Sequence, residues 1–233
     1  MTPLSPALVP FEAVFPDGSP VKELQGLAPK NVGVSIWQGE KRITAGFGEM
    51  LFTHFGVSGP VLLSASSLVT KVIRQGPLQL KIDWKPALTP EQLDARILRE
   101  FAAGQNKQLN NVMGSLLPSG AIGAMLRQSG ISPDKKVYTI TKEERRRLAE
   151  GLKEFSLTIT GLRDYNEAII TQGGIQVKEI LPATMESRRT GHLYFAGEII
   201  DADAFTGGYN LQIAWSTGYA AGMAAALQGK ERN

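Results

Sequence analysis

The sequence predicts a protein of mixed α+β and α/β class, with a small antiparallel sheet or barrel, an inserted helical unit, and a terminal strand followed by a helix. Three patterns predict this. Apolar residues alternate in short segments over residues 1–85, capped amphipathic helices occupy 88 to about 153, and a glycine pair precedes a helix rich in small residues from about 209 to 228. Strand patterns return after residue 153, which places the helical unit between strands.

The first segment contains two strand signals. Apolar residues alternate over 32–36, and a Gln-Gly-Glu turn then leads to a returning strand, which predicts a β-hairpin. Further along, Leu78, Leu80, Ile82 and Trp84 occupy one face of another alternating strand. Strands of this length and spacing predict a small antiparallel sheet or barrel.

The helical unit begins with a capping box. Thr89 is the expected N-cap, Pro90 occupies the first helical position, and Gln92 stands three residues after the cap. Thr141 and Glu144 repeat the pattern for the last helix, and two shorter helices are predicted between them. We expect these helices to form a packing unit rather than a binding site.

Composition excludes several classes of function. The 233 residues carry a formal net charge of +3 and no cysteine, which fits a cytoplasmic protein and excludes disulfides and thiolate metal sites. No run approaches the roughly 18–20 apolar residues of a membrane span. The run Arg145–Arg147 lies among glutamates on a predicted helix, so we expect a solvated face and no nucleic-acid partner. One alternative interpretation stays open, in which the chain is a basic domain that interacts with nucleic acid.

The stretch YFAGEIIDADAFTGGYN, residues 194–210, is the main candidate for a binding site. Residues 192–196 are short, apolar and aromatic, which predicts a buried strand. The strand leads into Gly197 and Glu198, so a carboxylate would stand at its carboxyl end, where open α/β sheets bind ligands.

A glycine pair at the end of this stretch precedes the last helix. Gly207 and Gly208 allow backbone to approach a ligand closely, and Tyr209 and Asn210 open a helix whose N-terminus presents free N–H groups. A carboxylate, bare backbone and a positive helix end suit an electron-accepting ring with a polyol tail. The alternative is that the glycines only shape a turn and the acidic residues solvate it.

Two other glycine-rich stretches are weaker candidates. GEMLFTHFGVSGP, residues 48–60, contains His54, for which both a catalytic role and a hydrogen bond within a turn stay open. Its serine and glycines lack the spacing of a nucleophile elbow. In TQGGIQVKEI, Gly173 and Gly174 end an apolar strand where backbone could approach a ligand. No metal or nucleoside-triphosphate motif occurs.

These stretches, with PALVPF near the N-terminus, resemble the signature segments of a bacterial flavoprotein family. It is the aminoacetone oxidase family of FAD-binding enzymes, also called the BaiN-like or YhiN-like NAD(P)/FAD-dependent oxidoreductases. The resemblance implies a discontinuous FAD-binding, Rossmann-like domain interrupted by an inserted antiparallel β-barrel with a small helical subdomain. On that pattern the barrel would comprise 1–87 and 154–172, the helical subdomain 88–153, and the C-terminal part of the FAD-binding domain 173–233.

The resemblance also implies roles for individual residues. Gly173 and Gly174 would lie beside the flavin, and Glu198 and Asp201 would face its ribityl or pyrophosphate region. The loop that contains His54 would border the substrate, with His54 as the catalytic candidate. The residues that would wrap the isoalloxazine ring are Gly207, Gly208, Tyr209, Asn210 and Leu211.

One departure from the family pattern affects what we expect of this chain. Family members open with a strand, G-x-G-x-x-G and a helix. The nearest pattern here, Gly46-Phe47-Gly48, has Leu51 in the third glycine's place and lies in a predicted hairpin. We therefore expect a truncated C-terminal portion that binds FAD weakly or not at all when alone. In the intact form, FAD would take a hydride or electrons from a small organic substrate and pass them to oxygen, NAD(P) or another acceptor.

A second interpretation comes from another class of function. The chain would be a non-catalytic binding module or subunit that completes a flavin site with a separate Rossmann chain. If the strand at 193–196 had no neighbours, its edge would pair with another copy and form a homo-oligomer.

Overall fold

The computed structural model describes residues 1–230, which form two compact units. One unit is Pro10–Gly161, here called the sheet-and-helix unit. The other, here called the terminal unit, joins Met1–Val9 to the chain from Leu162 onward. The predicted domain boundaries at 87, 153 and 172 divide the chain more finely than these two units and stay predictions.

The described residues form nine strands and six α-helices. In chain order, the strands are β1 (Thr2–Ala7), β2 (Phe11–Val14), β3 (Val32–Gln38), β4 (Lys41–Gly48), β5 (Leu51–Phe52), β6 (Gly56–Ser58), β7 (Leu78–Asp83), β8 (Phe155–Leu162) and β9 (Ile170–Gly174). The helices are α1 (Pro60–Val69), α2 (Pro90–Ala103), α3 (Leu109–Met113), α4 (Ser119–Ser129), α5 (Lys142–Lys153) and α6 (Tyr209–Lys230).

Seven strands form one sheet in the sheet-and-helix unit, in the order β4-β3-β7-β8-β2-β6-β5. The predicted hairpin is β3–β4, and it is antiparallel, as is the pairing of β3 with β7 and of β7 with β8. Leu78, Leu80 and Ile82 of β7 are all buried, as their alternation predicts. Within the described residues the end strands β4 and β5 do not pair with each other, so hydrogen bonds leave this sheet open rather than closed as a barrel.

Aromatic rings fill the core of this unit. Phe155 lies edge-on to Phe15, with ring centroids 6.3 Å apart, and edge-on to Trp84 at 5.9 Å. Phe52 stacks on Trp84 at 6.0 Å. Burying one such ring contributes about 1.5–3 kcal/mol, and edge-to-face contacts add about 0.5–1.5 kcal/mol. The predicted strand face ending at Trp84 therefore forms part of a continuous core.

Both predicted capping boxes are confirmed. Thr89 Oγ1 accepts the N–H of Gln92, and the Gln92 side-chain oxygen accepts the N–H of Thr89 at 3.0 Å. Thr141 and Glu144 make the same exchange at the start of α5, at 3.2 and 2.8 Å. Each exchange satisfies two backbone N–H donors that a helix N-terminus otherwise leaves unpaired.

The sequence analysis predicts no helix at the position of α1. Its sequence, PVLLSASSLV, is apolar on most sides and lacks the polar face that marks an amphipathic helix. Gly59 precedes it with φ 101°, and α1 packs against β4 at Gly46. A Cβ on Gly46 would lie 2.7 Å from a methyl group of Val61, so the glycine lets the helix lie close against the strand.

The terminal unit contains a two-stranded antiparallel sheet. Strand β1 pairs with β9, with Thr2 opposite Gly174 and Ala7 opposite Ile170. Ala7, Leu8 and Ile170 form a small buried cluster on it. The predicted helix at 209–228 is confirmed as α6.

The predicted buried strand at residues 192–196 is wrong. Tyr194 makes only an isolated antiparallel bridge with Glu186, and Leu193 is 43% exposed. A central strand needs a hydrogen-bonded neighbour on each side. No strand within the described residues lies alongside this segment, so its apolar sequence does not become a strand.

Candidate functional site

The candidate ligand-binding stretch folds as a loop tied to α6. Gly197–Ile199 form one 3₁₀ turn, and the N–H of Gly197 donates to Thr217 Oγ1 at 2.9 Å. Thr217 Oγ1 itself donates to the carbonyl of Ile213, one helical turn earlier, at 2.7 Å. The sequence analysis missed Thr217. A hydroxyl residue within a helix of small residues was the signal that could have indicated it.

Asn210 closes the loop before α6. Its side-chain oxygen accepts the N–H of Ala204 at 2.9 Å, and its side-chain nitrogen donates to the carbonyl of Ala204 at 2.8 Å. Between them, Gly207 at φ 116° and Gly208 at φ 88° adopt backbone angles that favour glycine. The side chain of Asn210 therefore fixes the loop, and its predicted role towards a flavin stays a prediction.

The glycine pair leaves the start of α6 open. A Cβ on Gly208 would meet no atom within 4 Å, whereas one on Gly207 would lie 3.2 Å from the ring of Tyr209. Gln212 donates its N–H to Gly208, and the N–H groups of 209–211 precede this bond and have no acceptor within the helix. Bare backbone, free donors and the positive end of a 22-residue helix fit the electron-rich edge of a reduced flavin.

The acidic residues of the loop differ in their surroundings. Glu198 is exposed. Asp201 accepts a hydrogen bond from Thr2 Oγ1, and Asp203 accepts two from Gln172 Nε2 at 3.1 and 3.2 Å. Asp201 and Asp203 thus attach the loop to β1 and β9, which leaves Glu198 as the acid most accessible to a ligand.

Gly173 and Gly174 approach protein backbone closely. A Cβ on Gly173 would lie 2.4 Å from the carbonyl oxygen of Pro3, and one on Gly174 would lie 2.3 Å from that of Ile199. Both glycines have positive φ, 100° and 118°. Packing of β9 against β1 and against the 3₁₀ turn therefore requires glycine at these positions, and their predicted contact with a cofactor stays a prediction.

His54 belongs to the sheet-and-helix unit, in the loop between β5 and β6. Its ring is exposed and lies edge-on to Phe55, with centroids 4.9 Å apart. The loop is closed by Thr53, whose N–H donates to the carbonyl of Gly56 at 2.9 Å and whose Oγ1 accepts the N–H of Gly56 at 3.0 Å. A Cβ on Gly56 would lie 2.1 Å from the carbonyl oxygen of Phe11. Packing explains the glycine, and a catalytic role for His54 stays a prediction.

A polar network that the sequence analysis did not predict joins the end of α6 to residues 186–194. Gln228 Oε1 accepts from Tyr194 Oη at 2.7 Å and lies 2.8 Å from His192 Nδ1. Glu186 accepts the N–H of His192 at 2.7 Å, and His192 has φ 63°. Burial and the nearby Glu186 raise the pKa of Tyr194. The side chain of His192 is exposed, and these contacts fix its position.

Comparison with protein families identifies the sheet-and-helix unit. Residues 5–170 match the family model described as HI0933-like protein barrel and H2TH domain. The chain belongs to the HI0933-like family. This is a family of FAD-dependent oxidoreductases, so the resemblance to the BaiN-like and YhiN-like flavoproteins is confirmed.

Relatives of the HI0933-like chain extend over most of its length. It is 31% identical over 182 residues to a ribosomal RNA dihydrouridine synthase of Haemophilus influenzae, covering 78% of this chain and 43% of that protein. It is 27% identical over 227 residues to a 3-dehydro-bile acid delta(4,6)-reductase of Clostridium scindens, covering 97% and 54%. It is 30% identical over 230 residues to a ribosomal RNA dihydrouridine synthase of Escherichia coli, covering 94% and 51%. The chain spans about half the length of these relatives.

Two features are absent from residues 1–230. No helix there is both long and apolar enough to cross a membrane. No group of three or more histidine, cysteine, aspartate or glutamate side chains is placed to hold a metal ion.

Proposed function

We propose that this chain is the C-terminal portion of a flavin-dependent oxidoreductase, whose intact form transfers a hydride or electrons between an organic substrate and FAD. The observation that supports it most strongly is the family match over residues 5–170. Gly207, Gly208 and the backbone donors at the start of α6 would hold the cofactor, which supplies hydride transfer when bound. NAD(P) as a source of reducing equivalents and a cytoplasmic location belong to the same proposal.

The exposed surface of α6 supports the involvement of a further segment. Large apolar side chains recur every four residues along the helix, in a row that winds about 160° around it from first to last because each residue turns about 100°. All are exposed: Leu211, Trp215, Tyr219, Met223 and Leu227. Gly218 and Gly222 have nothing within 4 Å of a built Cβ. Small and large apolar residues on a solvent-facing helix are typical of a surface that packs against another element. A Rossmann segment, which the relatives have room for in their additional length, is the partner that we propose for this surface.

The names of the relatives suggest a narrower reaction class. Dihydrouridine differs from uridine by two hydrogens across one C=C bond, and a delta(4,6)-reductase of a 3-dehydro-bile acid also adds hydrogen to C=C bonds. In both substrates a carbonyl group activates the double bond towards hydride addition. We therefore propose that the substrate of the intact form is an organic molecule with a C=C bond conjugated to a carbonyl.

The first experiment mixes the purified 233-residue chain with FAD and records flavin absorbance across the protein peak in gel filtration. We expect little flavin with the chain alone. We expect co-elution once a separate Rossmann segment is added, such as the part of the E. coli relative that this chain does not match. Gly208→Leu should abolish the gain, and Gly191→Leu, at an exposed glycine without positive φ, is the matched control. Tight FAD binding by the chain alone would contradict the expectation of weak binding.

The same mixture separates the proposal from its alternative. Oxidation of NADPH with saturation of an added enone supports the oxidoreductase. Bound flavin without any turnover supports a non-catalytic module that completes the site of another chain. If flavin never co-elutes while circular dichroism shows a folded mixture, both interpretations are wrong.

Nucleic acid needs its own test, because the sequence predicts no such partner and two relatives are named for ribosomal RNA. Arg145 binds Asp94 at 2.7 Å, and Arg146 pairs with Glu143 at 2.6 Å and with Glu150. Two of the three arginines of the basic run are thus neutralised within the helices, which supports the prediction. Retention of the chain on heparin at moderate salt, lost when residues 145–147 are replaced, would overturn it.

A further inference from the structure

The hydroxyl of Thr217 connects helix α6 to the turn that carries Glu198. Thr217 Oγ1 accepts the N–H of Gly197 at 2.9 Å. This is the one hydrogen bond between Gly197–Ile199 and α6 within the described residues. All of these residues belong to the terminal unit, and Thr217 is not among the residues that the sequence predicts to bind flavin.

Both roles of this hydroxyl are fixed by its partners. It donates its hydrogen to the carbonyl of Ile213 at 2.7 Å, with the carbonyl of Ala214 further away at 3.2 Å, as hydroxyl residues within helices often do. Since a backbone N–H only donates, Gly197 is the donor and Thr217 Oγ1 is the acceptor in the other bond. Serine could make the same bonds, whereas valine, of nearly the same shape, could make none of them.

The other end of the turn is held by backbone hydrogen bonds. The carbonyl of Ile199 accepts the N–H of Ile175 at 2.8 Å, and the N–H of Asp201 donates to the carbonyl of Ile175 at 2.8 Å. These two bonds attach the turn to the segment that follows β9. Removing the Thr217 hydroxyl would therefore release the Gly197 end of the turn and leave the other end in place.

The turn also packs closely on α6 at this point. Gly197 has φ 71°, and a Cβ built on it would lie 3.9 Å from the Cβ of Ala214. Ala214 precedes Thr217 by three positions, so both lie on the same face of α6. A small side chain and a hydroxyl thus form the surface that the turn contacts.

Glu198 is the side chain whose position depends on this contact. It directly follows Gly197 and is exposed, and its carboxylate has no hydrogen bond or ion pair within the described residues. Thr217 lies about 12 Å along the axis from Tyr209, the first residue of α6. The bond from Gly197 to Thr217 therefore sets where the carboxylate stands relative to the open start of the helix.

We propose, on the basis of the proposed function, that Thr217 is a positioning residue for the flavin, because its hydroxyl holds Glu198 at a fixed place relative to the start of α6. A carboxylate accepts hydrogen bonds from hydroxyl groups, so Glu198 would bind the polyol chain, and the helix end would bind the ring. Groups that are already held in place bind a ligand more tightly, since less freedom is lost on binding.

The first test measures hydrogen exchange in the full chain without flavin. Thr217→Val should raise the exchange rate of the Gly197 amide about tenfold or more, because the acceptor is removed. Thr217→Ser should restore the protection. Ser216→Ala is the matched control and should leave the rate unchanged, since the Ser216 hydroxyl accepts from Gln212 within α6. Equal exchange in Thr217→Val and the wild type would overturn the proposal.

The second test measures FAD binding by the same variants, each mixed with the Rossmann segment of the E. coli relative. Thr217→Val should weaken binding about tenfold, and Thr217→Ser should stay within about twofold of the wild type. In a Glu198→Ala background, Thr217→Val should have little further effect, because Thr217 acts through Glu198. If Thr217 only stabilises α6, Thr217→Val will lower stability and leave the FAD affinity of the folded mixture unchanged, which contradicts the proposal.

The FAD measurement also distinguishes failure of this proposal from failure of the proposed function. If the wild-type mixture binds FAD and the Thr217→Val mixture binds it equally well, the role of Thr217 is wrong and the proposed function stands. If no mixture binds FAD, the proposed function is wrong, and the role of Thr217 fails with it.

Discussion

The two units differ in how much of their apolar surface they bury. In the sheet-and-helix unit, rings such as Phe155, Phe15 and Trp84 contact one another in the core. In the terminal unit, the longest helix keeps Trp215 67% exposed and Tyr219 73% exposed. The apolar side chains that are buried in the described part of the terminal unit are few, and none is aromatic: Ala7, Leu8, Val9, Ile170, Ile180, Ile200 and Ala221.

The difference shows that local sequence can specify a helix before anything covers it. α6 has good helix formers and polar links such as Thr217 to Gly197, yet most helical stability in proteins comes from packing an apolar face. The sheet-and-helix unit satisfies that requirement internally. The terminal unit presents its apolar face to solvent, which is what we expect of a surface that another segment covers.

The largest expected effect tests whether the two units differ in how well their aromatic side chains are packed. Phe155→Ala should lower the free energy of unfolding by about 3–5 kcal/mol, because it leaves a cavity beside two aromatic rings. Trp215→Ala, which removes a larger side chain from α6, should change it by less than about 0.5 kcal/mol. Urea unfolding followed by circular dichroism measures both. Similar losses in the two variants would mean that α6 is packed in solution and that the units do not differ as described.

The next effect concerns a glycine in the terminal unit. Gly174→Ala should destabilise that unit by about 1–3 kcal/mol, since the added Cβ would lie 2.3 Å from the carbonyl of Ile199 at a φ of 118°. Gly208→Ala has positive φ but open space, so only backbone strain of about 1 kcal/mol is expected. Hydrogen exchange of residues 170–175 and 197–201 should rise in the first variant alone. Equal protection in both would show that the 3₁₀ turn does not pack on β9.

A smaller effect tests the capping hydrogen bond at the start of α5, in the helical part of the sheet-and-helix unit. Thr141→Ala removes the acceptor for the N–H of Glu144 and should cost about 1 kcal/mol. Thr141→Ser keeps a hydroxyl and should cost only a few tenths of that amount. Thermal unfolding of the two variants gives the comparison. A loss as large for serine as for alanine would mean that the methyl group of Thr141, and not its hydrogen bond, stabilises α5.

The sequence predicts the parts of the fold that depend on neighbouring residues. Thr89 with Gln92 and Thr141 with Glu144 are complete signals within four residues, so both helix starts are found where the pattern predicts them. The alternation of Leu78, Leu80 and Ile82 predicts a strand face in the same way. The strand at 192–196 fails because its stability depends on distant partners, which no local pattern encodes.

The features of the candidate site also differ in whether neighbouring residues or distant partners determine them. The glycines at 207 and 208 predict a loop before a helix. The structure has that loop, with no atom within 4 Å of a Cβ built on Gly208. Which atoms approach Gly174 depends on tertiary packing, and here they belong to Ile199. The sequence does not distinguish the arginines at 145–147, whereas the structure gives Arg145 and Arg146 different partners, Asp94 and Glu143.

The smallest expected effect uses pH to measure one ion pair in the sheet-and-helix unit. Glu144 lies 2.6 Å from Lys135 Nζ, and the bonds from Lys135 and from the N–H of Thr141 hold its pKa below the ordinary value of 4.5. A carboxyl with a lowered folded pKa adds stability that is complete above its unfolded pKa and is lost as the pH falls through the folded value. Glu144→Gln removes only the charge, because Gln92 shows that glutamine completes the same capping box. The wild type should be more stable than the variant by about 0.2–1 kcal/mol near neutral pH, and the two should converge as the pH falls through the folded pKa of Glu144. Urea unfolding at several pH values measures this, and a constant difference down to the acid limit would show that Lys135 is not the partner that matters.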